Sequence, residues 1–349
     1  MNVEDCSPLV IVTRGEIVES MHFGGFVLVD SSGRILACEG NPQMMTYPRS
    51  SMKPLQALPF IEMGGQEAYD LTDQEIAMMC ASHSGTNLHV EVLRKMHEKI
   101  GINEDDLTCG VHWPGDADTR TAMIRAGETP TPFRHNCSGK HTGMLAQARL
   151  RGLEKTDYLD PHHPVQVKIR EAIAEMVTME PDAMPIGIDG CSAPVYGIPL
   201  YNMAYGIAKL ADPSSLEENR ARACQKITRS MMTHPEMVAG PGKFDTDLMK
   251  AGRGRVFSKG GAEGYQVLGV MPGATGKNAP GLGIALKISD GDPGGRARTC
   301  VSVAILAALG VLTGHEIELF MPGGVMPVKN WRKLDVGEIR PAFSLKLNA

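Results

Sequence analysis

Apolar residues fall in short alternating runs at the two ends of the chain and at helical spacing through its middle. Residues 9–13, 17–21, 25–29 and 35–39 are rich in β-branched side chains and separated by turn chemistry such as Asp30-Ser31-Ser32-Gly33, which predicts strands. Beyond residue 50 the period lengthens. Leu55, Leu58, Phe60 and Ile61 follow Ser50, and residues 72–79, 89–100 and 143–151 carry helical patterns. Pro164 opens a further helix whose Val165, Val167, Ile169, Ile173, Met176 and Val177 form a broad apolar face. Residues 214–234 predict a long helix with a polar face. From Gly264 the strand pattern returns at 265–271 and 282–288, an apolar helix follows over 293–312, and the chain from Met326 onward shows no regular pattern.

Strands at both ends around a helical middle predict an α/β (α+β) fold, with an antiparallel sheet built from the two termini and covered by helices. There is no internal repeat or clear linker, so one domain over 1–349 is expected, with a mainly helical region (about 72–235) inserted between the sheet-forming ends.

Composition narrows the partners. With 349 residues, 42% of them hydrophobic, the chain can bury a large core. A net charge of −5 without a lysine-arginine cluster, and only 5% aromatics, argues against nucleic acid and anionic membrane. The acidic residues 1–6 lack the basic start and apolar stretch of a secretion signal, and the longest apolar run, 300–312, is too short to span a bilayer. The 8 cysteines stand at irregular spacings with no Cys-x-x-Cys, which fits reduced thiols in a cytoplasmic protein.

The densest chemistry lies in a few short segments. Ser50-Ser51-Met52-Lys53 places a serine and a lysine less than a helical turn apart. A neutral lysine amine can take a serine's proton and free the alkoxide to attack a carbonyl; burial or a neighbouring cation is needed to keep that amine neutral. The same four residues also describe a solvated helix start with a serine cap. Ser82-His83-Ser84-Gly85 offers a serine beside a histidine, or a helix end closed by glycine; side chains adjacent in sequence rarely face each other, which argues against a Ser82–His83 pair. His135-Asn136-Cys137-Ser138-Gly139-Lys140-His141 could supply a thiolate or a metal ligand, and so could the loop Asp189-Gly190-Cys191; either cysteine could equally be a small buried apolar residue. Lys259-Gly260-Gly261 could project an ammonium towards a ligand from a glycine-rich turn. If Lys259 lay near Lys53, each would depress the other's pKa. No phosphate-binding or dinucleotide-binding glycine pattern stands in the required context.

Taken in order, Pro48-Arg49-Ser50-Ser51-Met52-Lys53-Pro54, Ser82-His83-Ser84-Gly85, Asn136-Cys137-Ser138-Gly139-Lys140-His141, Asp189-Gly190-Cys191, His234-Pro235-Glu236-Met237-Val238-Ala239-Gly240 and Lys259-Gly260-Gly261-Ala262-Glu263-Gly264 resemble the rhizobial-type (class 3) L-asparaginases over nearly the whole chain. The resemblance implies a serine β-lactamase and penicillin-binding-protein-like fold in a homodimer that hydrolyses L-asparagine. It implies two Ser–Lys tandems, Ser50 with Lys53 and Ser82 with Lys259, and a zinc ion on Cys137, Lys140 and Cys191. Asp189 matches a residue near the substrate, and Arg49 and His141 are further substrate-binding candidates. Thr86 departs from the family pattern, which often has an acidic residue there. Three rival readings are a cysteine amidase using Cys137 with His135 or His141, a cytoplasmic β-lactamase-like serine hydrolase, and a catalytically silent zinc-binding protein.

Overall fold

The computed structural model describes residues 2–348, which divide into two compact units. The first comprises residues 2–51, 198–212 and 251–348; the second comprises residues 52–197 and 213–250.

The first unit is built on an antiparallel sheet. Across it the strands run Met326–Lys329, Asp335–Pro341, Ser7–Arg14, Ile17–Asp30, Leu282–Ile288, Tyr265–Val270 and Val256–Gly261, with Ile35–Glu39 also pairing with Ile17–Asp30. The termini thus build one sheet, as the hydrophobic pattern predicts. Every residue of Tyr265–Val270 and Leu282–Ile288 is buried, which is why these strands read as near-continuous apolar runs. The helices Leu200–Ala211 and Arg296–Ala308 pack on the sheet.

Three departures from the pattern have backbone causes. The runs at 17–21 and 25–29 are one strand, because Gly24 lies so close to the neighbouring strand that a Cβ there would sit 2.0 Å from the Lys287 carbonyl oxygen. The segment after Met326 is not irregular. It forms the strands Met326–Lys329 and Asp335–Pro341, whose prolines and Gly337 obscure the alternation; a Cβ on Gly337 would meet the Thr13 carbonyl oxygen at 1.9 Å. The helix Leu200–Ala211 carries no polar signal to mark its start, and it rides directly over Gly283, where a Cβ would lie 1.9 Å from the Ala204 carbonyl oxygen.

The second unit is mainly helical. Lys53–Glu62 packs against Ser138–Leu150, Pro164–Val177 and Glu218–Thr233, while Asp73–Met79 packs against Asn87–Ile100, Ser138–Leu150 and Glu218–Thr233. Sequence boundaries shift where local chemistry intervenes. Ser138–Leu150 begins earlier than its apolar pattern and so takes in Ser138, Gly139, Lys140 and His141. Glu218–Thr233 begins later, because Pro213–Ser215 forms a 3-10 turn. Among the described residues, no helix is long and apolar enough to cross a membrane.

Candidate active site

In the first unit the Ser50 segment is held against a sheet edge. Arg49–Met52 forms a 3-10 turn that leads into the helix Lys53–Glu62, with Pro54 in its first turn, where a missing N–H costs nothing. Arg49 takes a left-handed backbone, φ 53°, which is unusual for a residue with a side chain. Ser51 is fully buried, and its hydroxyl donates to the Lys259 carbonyl oxygen at 2.9 Å. Lys259 itself is not in a turn. It lies on the strand Val256–Gly261, is buried, and donates from Nζ to the Gly260 carbonyl oxygen at 2.7 Å.

In the second unit Lys53 is the first residue of a helix whose positions 53–60 are all buried. Its Nζ donates to the Ala81 carbonyl oxygen at 2.5 Å, to Ser82 Oγ at 2.9 Å and to Cys137 Sγ at 3.2 Å. Ser82 is presented on an irregular segment after the helix Asp73–Met79, which ends before Gly85 rather than at it. The Ser82 N–H donates to the Val238 carbonyl oxygen at 2.8 Å, which brings the Ser82 and His234–Gly240 motifs together.

Next to Lys53 lies a cluster of sulfur and nitrogen. Lys140 Nζ donates to Cys191 Sγ at 3.0 Å, and the free thiols of Cys191 and Cys137 influence each other's proton. The Cys191 thiol, followed by the charges of Lys53 and Lys140, holds Cys137 well below the usual thiol range despite its burial. The Cys137 sulfur and burial push Cys191 up. Burial opposes the Lys140 charge, but the sulfurs of Cys191 and Cys137 outweigh it and hold its pKa up. Among the described residues no three His, Cys, Asp or Glu side chains gather into a metal-binding group. Lys140 stands beside Cys191 as an ammonium, so of this trio only the two sulfurs match ordinary zinc donors, and the lysine could join them only after losing its proton. Asp189 starts the hairpin loop bearing Cys191; its N–H donates to the Ala193 carbonyl oxygen at 2.9 Å, and its Oδ1 accepts from the Gly190 N–H at 2.8 Å.

Histidines around this cluster are buried and held in fixed orientations. His83 turns to Ser138 (Nε2 to Oγ, 2.8 Å) and accepts from the Gly85 N–H at 3.1 Å, so it is not paired with Ser82. Burial, then neighbouring His89 and Lys53, pushes its pKa well down. His135 accepts at Nδ1 from the Cys137 N–H at 3.0 Å. His141 sits 2.6 Å from the Tyr158 hydroxyl through Nδ1, and burial, then Lys140, pushes its pKa well down. The structure therefore brings Lys53, Ser82, Cys137, Lys140 and Cys191 into one network in the second unit, and links the Ser50 segment to Lys259 in the first. Sequence reasoning missed the Ser51 link and the Tyr158 partner, because a lone serine or tyrosine carries no spacing signal.

The match to known families covers residues 10–341 and is to L-asparaginase II. The chain belongs to the L-asparaginase II family. It is therefore an amidohydrolase acting on a small molecule, and the family is the one that the ordered motifs resemble. Comparison with curated proteins gives no match. Among solved structures, Mglu in its native form aligns at 11% identity over 88% of this chain and 69% of that one, with a TM-score of 0.45. A probable glutaminase from Bacillus subtilis complexed with 6-diazo-5-oxo-L-norleucine aligns at 14% identity over 78% of each chain, with a TM-score of 0.35. These likenesses are too distant to bear on the substrate.

Proposed function

We propose that the protein hydrolyses the side-chain amide of L-asparagine to L-aspartate and ammonia through an acyl-serine on Ser50. The observation that carries this reading is the buried Lys53 amine within 2.9 Å of Ser82 Oγ, three residues along the chain from Ser50. Lys53 in its neutral form removes the Ser50 proton, and the alkoxide attacks the amide carbon. Ser82 and Lys259 relay a proton to the leaving ammonia. Backbone N–H groups at the start of the helix hold the oxyanion, at about 3 kcal/mol per donor. Water then releases aspartate and restores the serine. Asp189, Arg49 and His141 orient the substrate in this reading.

Cys137, Lys140 and Cys191 would hold a zinc ion, with the lysine bound as the free amine. The bound ion would polarise and orient substrate groups, whereas the serine supplies the nucleophile. Replacing Cys191 by serine is expected to remove zinc from the purified protein, as read by elemental analysis.

The deciding experiment is intact-mass analysis after trapping with a slow substrate analogue, followed by peptide mapping. An acyl group on Ser50 supports the proposal; an acyl group on Cys137 overturns it. The low thiol pKa of Cys137 is the one observation favouring the cysteine reading. Complete inactivation of zinc-free protein by iodoacetamide would support that alternative.

A further inference from the structure

In the first unit, the strand Val256–Gly261 pairs with Tyr265–Val270 and lies at the end of the sheet order. An edge strand leaves backbone carbonyls without a ladder partner. At the Lys259 end they are met by side chains. Ser51 Oγ donates to the Lys259 carbonyl oxygen at 2.9 Å, and Arg298 Nη1 donates to the Gly261 carbonyl oxygen at 2.8 Å. Asp292 in turn holds the backbone that carries the arginine. Its carboxylate accepts from the Ala297 N–H at 3.1 Å and the Arg298 N–H at 3.0 Å at the start of the helix Arg296–Ala308.

The packing at this edge leaves no slack. A Cβ on Gly261 would lie 2.4 Å from the Pro48 carbonyl oxygen and 2.9 Å from Ser51 Oγ. The Ser51 N–H donates to that same Pro48 carbonyl at 3.1 Å, closing the turn that carries Ser50. The turn and the Lys259 strand are therefore fastened at adjacent points, through a buried hydroxyl on one side and direct backbone approach on the other.

We propose that Ser51 and Arg298 are positioning residues, which fix the Ser50 turn in register with Lys259. This rests on the reading in which Ser50 and Lys259 take part in the chemistry. Neither residue touches the substrate; they act through the backbone of the strand. A misplacement of about 1 Å in a reacting group typically costs about 100-fold in rate. Losing the Ser51 hydroxyl should therefore lower kcat without weakening substrate binding.

The test measures ammonia release from L-asparagine by the full chain and by Ser51→Ala, Ser51→Thr, Arg298→Gln and Ser50→Ala, with the folded fraction of each measured alongside. Ser51→Ala is expected to lower kcat about 10–100-fold with KM held within about threefold, and Ser51→Thr, which keeps the hydroxyl, to recover most of it. Arg298→Gln is expected to move kcat the same way by a smaller factor, and it decides the matter if Ser51→Ala does not fold. The proposal is overturned if Ser50→Ala is inactive while Ser51→Ala and Arg298→Gln match the unmodified protein. It is also overturned if their losses merely follow the folded fraction and Ser51→Thr restores nothing. Full turnover by Ser50→Ala is a separate result: it removes the Ser50 reading itself, and this proposal with it.

Discussion

The two units differ in how their candidate residues are held. In the first, the sheet ladder satisfies the backbone, and the side chains of Ser51 and Lys259 bond to carbonyls, although Gln266 with Ser258 and His22 with Asp290 pair side chain to side chain. In the second, side chains meet side chains: Lys53 with Ser82 and Cys137, Lys140 with Cys191, His83 with Ser138 and His141 with Tyr158. A ladder tolerates change in its side chains because the backbone makes its bonds. A buried side-chain network does not, since removing one partner strands the other. The first unit therefore suits holding a backbone turn in place, and the second suits holding charges and protons.

The strongest test of this contrast replaces its two proposed chemical partners. Ser50→Ala is expected to lower kcat about 10⁴-fold, and the double variant with Lys53→Ala to fall little further, because the two act as one device. Additive losses would break the pairing. Ser82→Ala is expected to cost about 10²–10³-fold in kcat with KM nearly unchanged, in the range of lost proton transfer.

Acid should weaken the second unit through its neutral histidines. Burial pushes His97 from 6.5 down to about 4, against the opposing pull of Asp106 and the Asn103 backbone. Between those values the unfolded chain binds a proton that the folded chain refuses. This contribution is thus whole above pH 6.5 and is lost as pH falls towards 4, about 3 kcal/mol at most. Urea unfolding at stepped pH should show the decline, and His97→Gln should flatten it.

The smallest effect compares two glycines. A Cβ at Gly139 would lie 2.1 Å from the Met78 carbonyl oxygen in the second unit, and one at Gly261 2.4 Å from that of Pro48 in the first. Each alanine variant is expected to lose about 1–3 kcal/mol of stability in calorimetry, with Gly261→Ala also losing activity through the Ser50 turn.

The sheet was legible because its central strands are apolar throughout and its turns carry glycine and aspartate. The two C-terminal strands were not, because Pro327, Gly337 and Pro341 interrupt the alternation while the ladder still forms around them. The candidate site was legible as motifs, since Lys53, Cys137, Lys140 and Cys191 stand in dense segments, and in the structure they do converge. What periodicity could not show is that Ser138–Leu150 starts early enough to carry Lys140 and His141 on a helix, since six polar or small residues precede Met144, its first apolar side chain. The Ser51 tether was illegible for a different reason: its partner is a carbonyl, and every residue has one.

The strand Ile17–Asp30 pairs Asp30 with Leu282 and Gly24 with Ile288. On a ribosome adding about 5–20 residues per second, those partners emerge some 10–50 s after the strand itself. The second unit's chain is largely complete in that interval. The newborn protein must therefore keep an apolar half-strand from sticking to its neighbours until the tail arrives. Overproduction in a cell short of chaperones should leave this chain in the insoluble fraction, and slower synthesis at lower temperature should recover it.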